Sequence, residues 1–209
     1  MIHAARVGVF GGTFDPIHVG HLAAVQDAAY NLSFDRVLFV PNRQPPHKLN
    51  KEVSDPADRV AMVELSLQDN PLFELSTVEL EREGPSYSLD TLRQLKDQLG
   101  MDTELYFLVG CDALPDLHTW HQPQILLEEF QLVVMDRPTG TSISWSQLER
   151  RFPRIRQQVK VIDIVQLEIS SSDIRRRVNA GQPIRYYVLP AVEHYIRDRS
   201  LYRSSEARS

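Results

Sequence analysis

A chain of 209 residues, 42% hydrophobic and 24% charged, can bury a sizeable core and has the make-up of an ordered globular protein, which excludes a disordered or low-complexity polymer. Its net charge of −5 disfavours a nucleic-acid partner, although a local basic pocket would still suit a small phosphorylated substrate. The single cysteine, Cys111, excludes an intrachain disulfide and fits a reducing cytoplasm.

The first residues run directly into an apolar segment without a leader-like h-region, and no apolar stretch of about 20 residues suggests a membrane span. Residues 7–10 are a short apolar run closed by Gly11 and Gly12, as expected of a buried strand entering a tight turn. Residues 21–32 carry Leu22, Val25, Ala28, Ala29 and Leu32 at helical spacing. A second buried strand is predicted at 37–40, stopped by Pro41, and a proline-rich loop follows from 42 to 55. Asp55 as N-cap with Pro56 at the first helical position opens a helix reaching about residue 69. Residues 73–76 read as a short strand and 84–88 as a loop. Ser88 is the expected cap of a helix that carries Leu89, Leu92, Leu95 and Leu99 on one face and ends at Gly100.

The second half continues the alternation. A strand at 105–109 ends in Gly110, and short helices surround Trp120 between 112 and 129. Strands are expected at 132–135 and 159–165, a short helix at 147–152, and helices at 171–179 and 190–198. A polar tail begins near residue 203. Short apolar strands separated by helices predict an α/β fold, a Rossmann-like doubly wound parallel sheet with helices on both faces. With no repeat or linker, residues 1–209 are expected to form one domain.

The most informative segment is Gly11-Gly12-Thr13-Phe14-Asp15-Pro16-Ile17-His18-Val19-Gly20-His21. It follows the first strand, where ligands bind in open α/β sheets. Glycines let the backbone approach a ligand, and a helix starting near Gly20 would aim free N–H groups at a phosphate. His18 and His21 are spaced to aim both imidazoles at that phosphate, donating whether neutral or charged. The spacing is not that of a zinc-binding H-E-x-x-H helix, and neither a P-loop nor a G-x-G-x-x-G fingerprint is present. A second segment, Ile169-Ser170-Ser171-Ser172-Asp173-Ile174-Arg175, places serines at a helix start and a guanidinium one turn further in.

These two segments resemble the signatures of the HxGH nucleotidyltransferase superfamily, with Ser172 where threonine is common. Further elements make the chain similar to the bacterial nicotinate-nucleotide adenylyltransferases from about residue 6 to about residue 202. They are the stretches at 41–48, 84–91 and 110–114 with Trp120, the pair Arg137-Pro138, and the closing segments 183–188 and 192–196. The resemblance implies AMP transfer from ATP to nicotinate mononucleotide, giving nicotinate adenine dinucleotide and pyrophosphate.

It assigns catalysis to His18, His21 and Arg175. It implies ATP binding by Gly11, Gly12, Thr13, Phe14, His18, Gly20, His21, Gly110, Asp112, Ile169, Ser170, Ser171 and Arg175. Lys48, Tyr87, Ser88, Asp112 and Trp120 would bind the mononucleotide, and His121 stands where the family often has an aromatic residue. Mg²⁺ would ride on the ATP phosphates rather than in a protein cage, so no metal-binding residue is expected. A homo-oligomer is left open. The rival readings are the same transfer to nicotinamide mononucleotide or another phosphorylated acceptor, and a non-catalytic nucleotide sensor.

Overall fold

Six short apolar runs become the strands of one parallel sheet, because each alternates its side chains between two helical layers. The computed structural model describes residues 4–43, 53–136, 143–165 and 167–203. In chain order the elements are β1 (Arg6–Gly12), α1 (Val19–Leu32), β2 (Arg36–Pro41), α2 (Pro56–Leu67), β3 (Phe73–Leu75), α3 (Val78–Glu81), α4 (Ser88–Leu99) and β4 (Glu104–Gly110). There follow α5 (Pro123–Glu129), β5 (Gln131–Asp136), α6 (Trp145–Arg151), α7 (Ile155–Gln158), β6 (Val159–Asp163), α8 (Ser171–Asn179) and α9 (Pro190–Asp198).

The strand order is β3-β2-β1-β4-β5-β6, parallel throughout. This is the doubly wound arrangement expected from the alternation. The order reverses between β1 and β4, so their carboxyl ends splay apart and leave a crevice for ligands. Val7 and Val9 of β1 join Leu89, Leu92 and Leu95 of α4 in one core, whereas Phe10 joins Val25 and Ala28 of α1 and Met62 of α2 in the other. The sheet is therefore buried on both faces.

Local differences from the expected elements have simple causes. Tyr87, not Ser88, is the N-cap of α4: its extended backbone (φ −93°, ψ 128°) leads in, its carbonyl accepts from Thr91 N–H at 3.1 Å, and Ser88 is the first helical residue. α1 begins at Val19 rather than 21, because the His18 carbonyl already accepts from His21 N–H at 3.0 Å. α2 stops at Leu67, β3 at Leu75 and β6 at Asp163, each short of its expected end, and α6 starts earlier, at Trp145. The four-residue helices α3 and α7 are too short to leave a periodic signal. At Asp55 the expected cap is present, with Ala57 N–H donating to its carboxylate at 2.8 Å.

Candidate active site

Two cavities open at the carboxyl ends of β1 and β4. The first, of about 460 Å³, is lined by Thr13, His18, Gly20, His21, Gly110, Asp112, Ile169, Ser170, Ser171 and Arg175. Ten of the residues expected around ATP thus converge on one wall, from the start of α1, the end of β4 and the start of α8. The second cavity, of about 340 Å³, is lined by Gly11, Gly12, Tyr87, Ser88, Phe107, Gly110 and Trp120 among others. Phe10 and Gly110 belong to both, so the cavities adjoin at the point where the strand order reverses.

His18 and His21 stack face to face, with ring centroids 3.6 Å apart and planes 18° from parallel. His18 N–H donates to His21 Nδ1 at 3.3 Å, which leaves the proton of a neutral His21 on Nε2. Phe10 and Phe14 brace the His21 ring at centroid distances of 5.9 and 5.5 Å. Burial lowers the His18 pKa to about 4, and burial together with the neighbouring His18 lowers that of His21 well below 6.5. Both rings are therefore neutral near pH 7. Nδ1 of His18 is buried without a hydrogen-bond partner among the described residues, as suits a group reserved for a ligand.

Two glycines are required by close approach. A Cβ on Gly20 would lie 3.1 Å from His18 Nδ1, and one on Gly12 would meet the Phe14 ring at 2.8 Å. A side chain at position 12 would have to displace the Phe14 ring, and one at position 20 would press on the His18 imidazole.

The α8 motif reaches the same cavity from the far side. Ser170 caps the helix by accepting from Asp173 N–H at 3.1 Å. The Ser171 hydroxyl donates to the Pro16 carbonyl at 2.8 Å, and Arg175 Nη1 donates to the Asp15 carbonyl at 2.6 Å. Ser171 and Arg175 therefore pin the loop that carries His18, and the remaining guanidinium donors are left for an anion. The Asp15 carboxylate is itself held, by Tyr202 O–H at 2.7 Å and Ser54 N–H at 3.2 Å.

Several assignments shift. Gly11 and Gly12 border the second cavity instead of the first. Phe14, 2% exposed, lines neither, because its ring is packed between Phe10, Phe39 and His21, so the expected contact with ATP is not found at this residue. Asp112 lines the first cavity and not the second. Lys48, the Pro45-Pro46-His47 run around it, Arg137 and Pro138 lie outside the described residues.

On the second cavity Trp120 is half-buried and meets Phe107 edge-on at 6.0 Å. His121 stacks on Tyr87, 4.3 Å between centroids and 22° from parallel, so the imidazole provides a flat ring where the family often has an aromatic one. First-turn N–H groups of α4 lack intrahelical partners, and Tyr87 and Ser88 bring that helix end to the cavity wall.

Three supporting residues were missed from sequence. Arg59, 1% exposed, donates to the carbonyls of Thr13, Asn42, Arg43 and Ser54. Glu79, 7% exposed, lines the second cavity, and Tyr202 holds Asp15. A signal existed for Arg59: it sits on the apolar face of α2 with Met62 and Val63, where an unpaired charge has no ordinary reason to be.

Comparison with known proteins bears on the family and the fold. Residues 9–177 match the family model described as cytidylyltransferase-like. A Thermomicrobium roseum protein named "Probable nicotinate-nucleotide adenylyltransferase" is 44% identical over 203 residues, 97% of this chain and 94% of the relative. A Roseiflexus relative of the same name is 43% identical over 200 residues, 96% of this chain and 99% of its own. Among solved structures, the Plasmodium falciparum nicotinic acid mononucleotide adenylyltransferase complexed with NaAD superposes with a TM-score of 0.77 at 22% identity, covering 95% of this chain and 97% of that one. The last likeness speaks for the fold alone.

Proposed function

The chain belongs to the cytidylyltransferase-like family, and within it to the nicotinate-nucleotide adenylyltransferases, and from that membership we propose that it transfers AMP from ATP to the phosphate of nicotinate mononucleotide. The products are nicotinate adenine dinucleotide and pyrophosphate. The observation that carries this reading is the junction of the two cavities at Phe10 and Gly110, one ringed by anion-binding groups and the other walled by flat rings. ATP is assigned to the first cavity and the pyridine ring to the second.

The mononucleotide phosphate attacks the α-phosphorus of ATP in line, and the bond to the bridging oxygen of the leaving pyrophosphate breaks. The attacking oxygens are already ionised near neutral pH, so no general base is needed, and positioning and charge stabilisation supply the catalysis. The neutral His21 donates from Nε2 to a phosphoryl oxygen whose charge grows in the transition state. His18 and Arg175 add donors, and the starts of α1 and α8 add backbone N–H groups and the positive ends of their dipoles.

Mg²⁺, coordinated mainly by the phosphates and water, would neutralise charge on the leaving pyrophosphate. The donor set fits that arrangement. Asp15 is committed to Tyr202 and Ser54, whereas Asp112 is exposed on the cavity rim, within reach of a phosphate-held cation or its water shell. Among the described residues no helix is long and apolar enough to cross a membrane, and the single cysteine suits a cytoplasmic location.

The test incubates the protein with ATP, Mg²⁺ and each of the acid and amide mononucleotides, and reads dinucleotide products by mass spectrometry. The acid should be preferred about tenfold to hundredfold, because N–H donors at the start of α4 suit an acceptor-only carboxylate and leave the amide with an unpaired group. Equal efficiency would reassign the acceptor while leaving AMP transfer intact. Pyrophosphate release with neither substrate would remove the pyridine assignment, and no release with any acceptor would leave a nucleotide sensor.

A further inference from the structure

Glu79 is a buried carboxylate on the wall of the second cavity, and none of the chemistry above uses it. It anchors a ring of polar contacts. Thr91 O–H donates to Glu79 Oε1 at 2.7 Å, and Ser86 helps to stabilise the charged form of the same carboxyl. Ser86 Oγ accepts from Arg43 N–H at 3.3 Å, Arg43 Nη1 donates to the Arg82 carbonyl at 3.0 Å, and Arg82 Nη2 returns to Thr91 Oγ1 at 3.3 Å. The ring joins three separate pieces of chain: the residues after β2, the helix α3 with its following loop, and the first turn of α4. Burial pushes the Glu79 carboxyl above its ordinary pKa against the pull of Thr91, Ser86 and Arg82, so the ring is also what makes a carboxylate tolerable there.

We propose that Glu79 is the positioning residue for acid selectivity: by holding Ser86 and the Thr91 hydroxyl it fixes the 84–88 loop so that the backbone N–H groups at the start of α4 face the substrate carboxylate. The Thr91 hydroxyl is then spent within the protein, and the main-chain donors at the start of α4 remain for the ligand. A fixed pair of donors favours the group that accepts at both oxygens, whereas a loosened loop can turn to suit an amide. Arg43 links the ring onward, since its carbonyl accepts from Arg59, which also holds Thr13 of the phosphate loop. This inference rests on assigning the second cavity to the pyridine mononucleotide.

The test measures kcat and KM for ATP and for the acid and amide mononucleotides in Glu79→Gln, Thr91→Val, Ser86→Ala and Thr91→Ser. In Glu79→Gln and Thr91→Val the KM for the acid should rise about tenfold, with the amide less affected, so that the acid-to-amide ratio of kcat/KM falls by a similar factor. KM for ATP should stay near its wild-type value, because ATP occupies the other cavity. Thr91→Ser keeps the hydroxyl and should recover most of the ratio lost in Thr91→Val, and Ser86→Ala should shift it in the same direction as Thr91→Val. Should Glu79→Gln fail to fold, the Thr91 and Ser86 variants decide. An unchanged ratio in the folded variants, or an equal rise in KM for ATP, overturns the proposal. A wild-type enzyme that uses neither mononucleotide overturns the cavity assignment and this inference with it. A wild-type acid preference that survives in every variant overturns this inference alone.

Discussion

His18 and His21 are kept neutral by burial, and their charge state decides both chemistry and stability. In the mechanism proposed, a neutral His21 with its proton on Nε2 donates to an oxygen whose charge grows during reaction, so His21→Ala should lower kcat about 10²–10³-fold while changing ATP affinity little. Single-turnover rates beside ATP binding by calorimetry check this, and near-normal turnover would remove His21 from the mechanism. The pH dependence follows from the shift of His18 from 6.5 to about 4. The unfolded chain takes up a proton that the folded one refuses. Stability is therefore full above about pH 6.5 and is lost as pH falls towards 4, by a few kcal/mol for this one group. Urea unfolding at a series of pH values should show that slope in the ligand-free protein, and His18→Asn should flatten it. Arg175→Lys tests the third group: a planar fork holds the Asp15 carbonyl and Ser172 together, so the lysine variant should stay defective although charge is kept.

Helix α4 shows how one element serves two ends. Leu89, Leu92 and Leu95 are at most 2% exposed and fix the helix to the sheet through the second core. Its first turn meanwhile faces the second cavity. Leu92→Ala should cost about 2–5 kcal/mol of unfolding free energy, through lost burial and the cavity it leaves. Chemical denaturation measures it, and a loss below about 1 kcal/mol would mean that the site collapses freely. The leucine spacing made this helix legible, and Gly100 at φ 96° marks its end as expected. The cap was not legible, since Ser88 is the residue type that commonly caps helices and Tyr87 is not. Only the extended backbone of Tyr87 and its bond from Thr91 N–H separate them.

Across the whole molecule, Arg59 ties distant segments together. Its guanidinium satisfies carbonyls on the phosphate loop, after β2 and before α2, and so joins the two cavities through the backbone. Arg59→Met keeps most of the volume but strips four carbonyls of a charged, buried donor. We expect a loss of about 3 kcal/mol or more, read as a lower Tm, together with a higher KM for ATP. An unchanged Tm would show that those carbonyls find other donors. The C-terminal segment acts in the same sense. Tyr195 and Arg199 grip Asp58 of α2 at 2.8 and 3.1 Å, and Tyr202 grips Asp15.

The sequence by itself determined the alternation of strands and helices and the two motifs that line the first cavity. Hydrophobic periodicity, capping residues and contiguous motifs are written locally and survive without a fold. The strand order, which opens the crevice between β1 and β4, came from the tertiary structure. So did the removal of the Phe14 ring from the binding surface and the move of Gly11 and Gly12 to the second cavity. Glu79 and Tyr202 are likewise ordinary residues in the sequence, and Arg59 stands out there only as a charge on an apolar helix face. Their partners lie many positions away in the chain, and burial makes each of them matter, because an unsatisfied polar group is costly only where water cannot reach it.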